Sequence, residues 1–404
     1  GKDCLTPFLL KYKFKRGISM RQKKRAAALL LSAVMAFSAV SPALPAWAAA
    51  WQKNASGSYI GSDGSVLTGI LSRGVDVSQW QQNINWSAVA ADDIQFAMIG
   101  ARYNNAVDPY FETNVRGAAA AGLRVGVYLY SYATTTAMAE SDADFVLNLI
   151  KDYPISYPVV LDVEAQEMNN LTPAQLSDII NAFCKKVETA GYYPMVYTND
   201  YWLNNKIDMT KVHYDVWIAR YDAKPSYQGA AFWQASNQGT VNGISGNVDI
   251  NFSFKDLSGK LPVNRWRLIG DKWYYYKNYV KQTGWINDGQ SWYYLNQDGT
   301  QYKGWLLLNN QYYYLLPTTG QMKTGWLQAE DAWYYLNSDG TMAKDWIQVD
   351  GKYYYLLNGA MVTGWLRIDT DYYYLRGDGS MVTGCRKMDG KYYYFGSNGK
   401  LVRG

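Results

Sequence analysis

The chain has 404 residues, of which 48% are hydrophobic, 16% aromatic and 18% charged, so it is neither a disordered polymer nor a membrane bundle and has room for two domains. The formal charge of +5 resides in the first 50 residues, where nine Lys and Arg face Asp3 alone; the other 30 basic and 33 acidic residues offer no charge for nucleic acid. A single histidine, His213, excludes zinc sites built on two or three imidazoles. It would also have to serve any Ser-His-Asp or Cys-His device. No metal or other cofactor is expected, and acidic or aromatic side chains must carry the chemistry. Cys4, Cys184 and Cys385 are too scattered for a disulfide framework.

From Met20 the chain reads as a charged stretch, an apolar run from Ala26 to Val40 and the small-residue region Ser41–Ala50. That order is expected of a secretory signal over residues 20–50, cleaved near Ala48 or Ala50. Residues 1–19 then lie upstream of the true start. The apolar run falls short of the ~20 residues that span a bilayer, so no stable membrane anchor is expected. Residues 51–72 are rich in Gly and Ser and read as a linker or loose arm.

Between residues 73 and 257 the texture is α/β. Eight short apolar runs, at 73–78, 96–101, 124–132, 158–164, 193–199, 216–221, 230–236 and 248–253, read as strands. Helical stretches fall at 134–151 and 172–190, the latter opened by Thr172-Pro173 as N-cap and first helical residue. Eight strands suggest a barrel. Only Asp222–Gly229 separate the sixth run from the seventh, too few for a crossover helix, so the barrel should lack helices on its later side.

Residues 258–264 read as a linker, and 265–404 as a repeat array. Trp recurs at 266, 285, 305, 326, 346 and 365, with Cys385 in the next slot. From Trp285 on, each is followed by an aromatic triplet ending in an apolar residue, and then by turn residues such as Asn337-Ser338-Asp339-Gly340. Hairpins of this size cannot bury a face alone, so they should stack into a solenoid. The array resembles the choline-binding or cell-wall-binding repeats of bacterial surface proteins. That resemblance implies cages of two Trp and a Tyr from adjacent repeats around a quaternary ammonium, with Trp285, Trp292, Trp305, Tyr313, Trp326, Trp333 and Tyr354 as wall-ligand residues. The best sites are expected at Trp285/Trp292 and Trp326/Trp333. Tyr312, Tyr353, Tyr372 and Tyr392 in the Trp slots leave the others degraded or fitted to another glycan.

The catalytic reading rests on acids at strand ends. Strand alternation puts Asp162 and Glu164 on one face, aimed into the barrel, where unpaired carboxylates cost several kcal/mol. Asp76 ends the first strand and Asp249 lies on the last, so four acids can converge at one rim. Trp80, Tyr128, Tyr130, Tyr132, Trp217 and Trp233 at the same ends could stack on sugar rings. These motifs, with Tyr197-Thr198-Asn199, Arg220-Tyr221 and Phe232-Trp233-Gln234, resemble glycoside hydrolase family 25, the muramidases. The resemblance implies a flattened, irregular (β/α) barrel and hydrolysis of the β-1,4 bond from N-acetylmuramic acid to N-acetylglucosamine. It makes Glu164 the general acid and Asp162 the group that steadies the acetamido group or the anomeric charge. Asp76 and Asp249 become electrostatic supports, with Tyr197, Arg220 and Gln234 added to the substrate-binding set. The partners implied are peptidoglycan strands and a choline-bearing teichoic acid or other wall polysaccharide, for a secreted, wall-associated protein of a Gram-positive bacterium. A non-hydrolytic wall adhesin or lectin is the alternative, and a phage-derived endolysin a third possibility.

Overall fold

The computed structural model describes residues 50–257, 260, 261 and 263–403; the expected start, signal segment and part of the 258–264 linker lie outside the described residues. Eight strands close a barrel in the order β1-β10-β9-β8-β7-β6-β5-β2. They are β1 (Ser72–Val77), β2 (Phe96–Gly100), β5 (Arg124–Tyr130), β6 (Val159–Asp162), β7 (Pro194–Asn199), β8 (Asp215–Ala219), β9 (Ala230–Gly239) and β10 (Val248–Ser253), each on one of the runs read from the sequence. A two-stranded rim hairpin, β3 (Arg102–Tyr103) and β4 (Ala106–Val107), follows β2.

Strand β10 pairs antiparallel with both β1 and β9, while the other pairs around the barrel are parallel. Its reversed direction brings its first residues to the rim where the parallel strands end. Among the described residues five α-helices pack outside: α1 (Trp86–Ala91), α2 (Phe111–Ala120), α3 (Thr136–Ile150), α4 (Pro173–Thr189) and α5 (Asp200–Asn205). Helix α4 is the best specified: Thr172 and Gln175 form a capping box, Pro173 opens it, and Leu176, Ile179, Ile180, Phe183, Cys184 and Val187 bury one stripe. Cys184 is thus a core residue. Neither β9 nor β10 is preceded by a helix.

Strand alternation divides the apolar residues into two cores. Phe96, Met98, Val160, Met195, Tyr197, Trp217 and Phe232 fill the lumen, whereas Val127, Leu161, Trp233, Ile250 and Phe252 face outward into a layer shared with the helices. The segment expected to be a linker belongs to that outer layer: Trp51 and Tyr59 are 6% exposed and pack against it.

Seven antiparallel hairpins follow among the described residues, one more than the triplets from Trp285 on supply. The first, Arg265–Ile269 with Lys272–Lys277, is docked on the barrel. Arg267, 1% exposed, lies between the Tyr192 and Tyr276 rings at 4.0 and 4.3 Å, and the Tyr276 hydroxyl donates to the Lys151 carbonyl at 2.6 Å. Between hairpins, each Trp meets the central Tyr of the next unit edge-on: Trp266–Tyr293, Trp285–Tyr313, Trp305–Tyr334, Trp326–Tyr354, Trp346–Tyr373 and Trp365–Tyr393, all at 4.8–5.2 Å.

Candidate active site

The strand ends that the sequence marks as acidic meet at one cleft of about 350 Å³. Cross-strand register builds its floor: Tyr130 of β5 lies beside Asp162 of β6, which lies beside Tyr197 of β7, which lies beside Trp217 of β8. On the other side Asp76 and Asp249 are register partners across β1 and β10. Glu164, one residue beyond the Asp162-Val163 edge, completes the acidic group in the cleft wall.

A polar network ties the two halves together. The Gln234 side-chain amide donates to Asp76 Oδ1 at 2.9 Å and to Asp249 Oδ2 at 3.2 Å, while its carbonyl accepts from the Tyr197 and Tyr221 hydroxyls at 2.8 and 3.2 Å. Asn251 donates to Asp76 Oδ1 at 2.6 Å and accepts from the Trp217 indole at 2.9 Å. Asp162 is different. It is buried, and its Oδ1 has no protein partner, so it is an orphaned oxygen at the cleft floor.

Burial sets the electrostatics. Asp162 is pushed well above the ordinary carboxylate range, first by desolvation and then by the charges of Glu164 and Asp76. Glu164 is raised by burial, an effect countered by the Asn199 amide at 3.5 Å and reinforced by Asp76. Asp76 is also raised by burial against the hydrogen bonds it accepts, and Asp249 is pushed up to about 9 by burial and by Asp76. The two face each other as a pair whose titrations are linked, with burial raising both carboxyls. Tyr130 and Tyr221 are pushed up to about 12 by burial and the surrounding acids, so their hydroxyls remain donors at neutral pH.

Of the expected sugar-binding residues, Trp80, Tyr128, Tyr130, Tyr132, Tyr197, Trp217 and Gln234 line the cleft. Trp233 and Arg220 do not. Alternation on β9 points Phe232 and Gln234 inward and Trp233 outward, where it packs on Trp51 and Phe252 and donates to the Arg220 carbonyl. The Arg220 guanidinium turns away to pair with Asp200 at 2.6 Å. Sequence reasoning missed the β3–β4 hairpin, whose Tyr103 meets Trp80 edge-on at 6.0 Å to form an aromatic rim, with Trp80 73% exposed. Arg102 anchors this hairpin through Asp142, which also accepts from Ser131. Asp108 accepts from the Gln79 amide at 2.8 Å and so holds the turn that carries Trp80. The Asn104-Asn105 pair, with Asn104 left-handed at φ 51, was the available signal. Among the described residues no group of three or more His, Cys, Asp or Glu is placed to hold a metal.

A second cavity, about 300 Å³, lies between the first and second array hairpins and is lined by Trp266, Trp273, Tyr293, Gln301, Thr318 and Thr319. It has the composition of a two-Trp, one-Tyr cage, at a position ahead of the sites expected from sequence. The equivalent trios are Trp285 and Trp292 of the second hairpin with Tyr313 of the third, and Trp326 and Trp333 of the fourth with Tyr354 of the fifth. In both, the central Trp meets the following Tyr, and Trp292 and Trp333 are exposed. The third trio, Trp305, Tyr312 and Tyr334, has a Tyr in the variable slot.

Residues 75–244 match the family model for glycosyl hydrolases family 25; residues 282–325, 323–363 and 362–404 match a choline-binding repeat, and 264–278 a putative cell wall binding repeat. The uncharacterized protein YegX of Escherichia coli (strain K12) is 34% identical over 188 residues, covering 44% of this chain and 68% of that protein. The chain belongs to glycosyl hydrolases family 25. Lysozyme M1 of Streptomyces globisporus is 31% identical over 196 residues, covering 44% of this chain and 66% of that protein. Choline binding protein F from Streptococcus pneumoniae is a solved structure 36% identical to this chain over the matched part, with a TM-score of 0.32; the match covers 34% of this chain and about half, 51%, of that one. The cleft described above is therefore that of a family 25 glycoside hydrolase, and the array is a set of choline-binding repeats.

Proposed function

We propose that the protein is a secreted muramidase that cleaves the β-1,4 bond from N-acetylmuramic acid to N-acetylglucosamine while its repeats hold it on the wall of a Gram-positive bacterium. The observation that carries the reading is the unequal environment of the carboxyls in one sugar-sized aromatic cleft. Glu164 is raised and only partly exposed in the cleft wall, as a proton donor to a leaving oxygen must be. Asp162 is deeper, raised further, and has an oxygen without a protein partner.

Glu164 protonates the glycosidic oxygen as the bond to the anomeric carbon breaks. The Asp162 carboxyl accepts the amide N–H of the substrate's 2-acetamido group, so that the acetamido oxygen bonds to the anomeric carbon as the leaving oxygen departs, giving a cyclic oxazolinium intermediate and retention with substrate assistance. The ionised Glu164 then takes a proton from water as the water oxygen bonds to the anomeric carbon and the bond to the acetamido oxygen breaks, which releases the sugar and restores the protonated acid. Asp76, held by Gln234 and Asn251, supplies negative potential opposite the developing oxocarbenium charge. Tyr130, Tyr132, Trp80 and Tyr103 offer faces and edges for sugar rings.

In the array, a choline ammonium of the wall polymer enters the cages at Trp266/Trp273/Tyr293, Trp285/Trp292/Tyr313 and Trp326/Trp333/Tyr354, held by roughly 0.5–2 kcal/mol per ring. Tethering raises the local concentration of glycan at the cleft. Glu164→Gln keeps shape but removes the transferable proton. Turnover of intact walls should drop ~10²–10⁴-fold with binding retained, and wild-type activity should fall as pH rises through the Glu164 pKa. Near-normal turnover by Glu164→Gln would remove Glu164 from the role of acid.

A further inference from the structure

The segment ahead of the barrel repeats the turn of the array at its other end. Ile60-Gly61-Ser62-Asp63-Gly64-Ser65-Val66-Leu67-Thr68-Gly69 aligns without a gap on Leu375-Arg376-Gly377-Asp378-Gly379-Ser380-Met381-Val382-Thr383-Gly384. Asp-Gly-Ser and Thr-Gly are identical, and the first, seventh and eighth positions are aliphatic or Met in both. Trp51 stands nine residues before Ile60, as Trp365 stands ten before Leu375.

The backbone of these ten residues agrees in its bonds, while the strand before them is one residue out of step: Trp51 lies opposite Ile60, whereas Trp365 lies opposite Tyr374. Ile60 bridges Val66 as Leu375 bridges Met381. Gly61 N donates to Ser65 O at 2.8 Å, and Arg376 N to Ser380 O at 2.8 Å; Leu67 N donates to Tyr59 O at 2.8 Å, and Val382 N to Tyr374 O at 2.8 Å. The Asp63 carboxylate accepts from Ser65 N at 2.9 Å, and Asp378 from Ser380 N at 3.0 Å. Gly64 and Gly379 sit at φ 78 and 79, and Gly69 and Gly384 at φ 77 and 76. Asx turns and left-handed glycines are common singly. Their recurrence in the same order, with the same flanking ladder bonds, is what marks a common unit.

We propose that residues 51–69 are a displaced unit of the wall-binding array whose aromatic face has the barrel's own β9–β10 surface as its partner. In the array a Trp is covered by the Tyr of the next hairpin; here Trp51 lies edge-on to Trp233 at 5.8 Å and 6.2 Å from Phe252, and Tyr59 lies edge-on to Phe252 at 5.2 Å. Trp233 and Phe252 are the outward residues of the strands that no helix precedes. The unit therefore covers apolar surface that a (β/α) barrel ordinarily hides beneath helices. Its two aromatic rings, each 6% exposed, have their faces covered by protein. Three side chains tie it to the barrel: Lys53 and Tyr59 donate to Asp93 at 2.9 and 2.8 Å, and Lys224 donates to the Thr68 carbonyl and hydroxyl at 2.9 and 3.2 Å.

The position matters for the cleft, because Gln234 on the opposite face of β9 bridges Asp76 and Asp249, and the Lys224 loop begins at Tyr221. The unit thus acts as a positioning element, through β9, on residues that line the site. Three full-length variants test this by hydrogen exchange and steady-state kinetics: Trp51→Ala, replacement of residues 52–68 by Gly and Ser at equal length, and transplantation of residues 375–384 in place of 60–69. Only the kinetic readout rests on the muramidase reading; exchange reports the docking alone.

The transplant should keep wild-type protection and turnover. The other two should raise exchange in 230–239 and 248–253 by about tenfold or more and lower kcat more than they change KM, leaving 284–403 untouched. Should the Gly-Ser chain fail to fold, Lys224→Met gives a milder loosening, expected at 222–239 alone. Wild-type protection in Trp51→Ala would overturn the proposal, as would a transplant that behaves like the Gly-Ser chain. Protection of residues 51–69 by added choline would overturn it too, since it would make the unit a ligand-binding repeat.

Discussion

Asp249 shows how the site trades stability for chemistry. Its carboxyl is held up to about 9 in the folded chain against an ordinary value near 4. Between those two values the unfolded chain ionises while the folded one stays protonated, so this group's contribution to stability is complete below about pH 4 and is lost as pH climbs toward 9. Asp162 acts in the same direction. Asp249→Asn would still accept from Gln234 and could donate to Asp76. The variant should melt higher than wild type at pH 7 and show a flatter decline between pH 5 and pH 8. A melting profile parallel to wild type across that range would show that Asp249 titrates normally.

The four acids were legible in the sequence because each stands at the rim end of an apolar run, where burial without function would be costly. The partners that set their protonation were less so. Asn199, Tyr221 and Asn251 are visible as motif members, but their hydrogen bonds depend on which strands become neighbours. Trp233 was misplaced by one step of alternation, since it neighbours Gln234 in sequence yet faces the other side of β9.

At the level of elements, the repeats give a stability test. From the second on, each hairpin is entered through a left-handed residue: Gly284, Gly304, Gly325, Gly364 and Gly384 have φ between 72 and 91, but the fifth hairpin uses Asp345 at φ 61. Holding a side chain there costs on the order of 1 kcal/mol. Asp345→Gly should raise the melting temperature of the array, measured by the Trp signal of the full chain; an unchanged or lower value would mean that the Tyr355 hydroxyl bond to Asp345 offsets the strain.

The cages make a second test. Titration calorimetry with choline should count at least one fewer equivalent for Trp273→Ala than for wild type, while Tyr353→Ala in the fifth hairpin should cost less. Equal stoichiometry for Trp273→Ala and wild type would empty the first cage of its proposed ligand. The hairpin period made the array legible, but Lys277 after the Trp273-Tyr274-Tyr275-Tyr276 run hid its first member. That hairpin is specified by its contacts with the barrel as much as by its repeat pattern.

Across the whole molecule the barrel is held from two sides by elements of repeat type. The hairpin at Trp51–Gly69 covers β9 and β10, and the first array hairpin seats Arg267 between Tyr192 and Tyr276. Neither docking leaves a sequence pattern, because both join segments far apart in the chain through single aromatic or cationic side chains. The short Asp222–Gly229 connection did announce the missing helix. What fills its place could be seen only once Trp233 and Phe252 were known to face outward.

The bond cut by the cleft is the central claim, and one measurement reads it directly. Purified peptidoglycan is digested with the chain from residue 51 onward, the products are reduced, and mass spectrometry identifies the sugar at the new reducing end. The geometry around Glu164 and Asp162 predicts reduced N-acetylmuramic acid at every new end, with stem peptides still attached. Reduced N-acetylglucosamine, free stem peptides, or an undigested wall would contradict it.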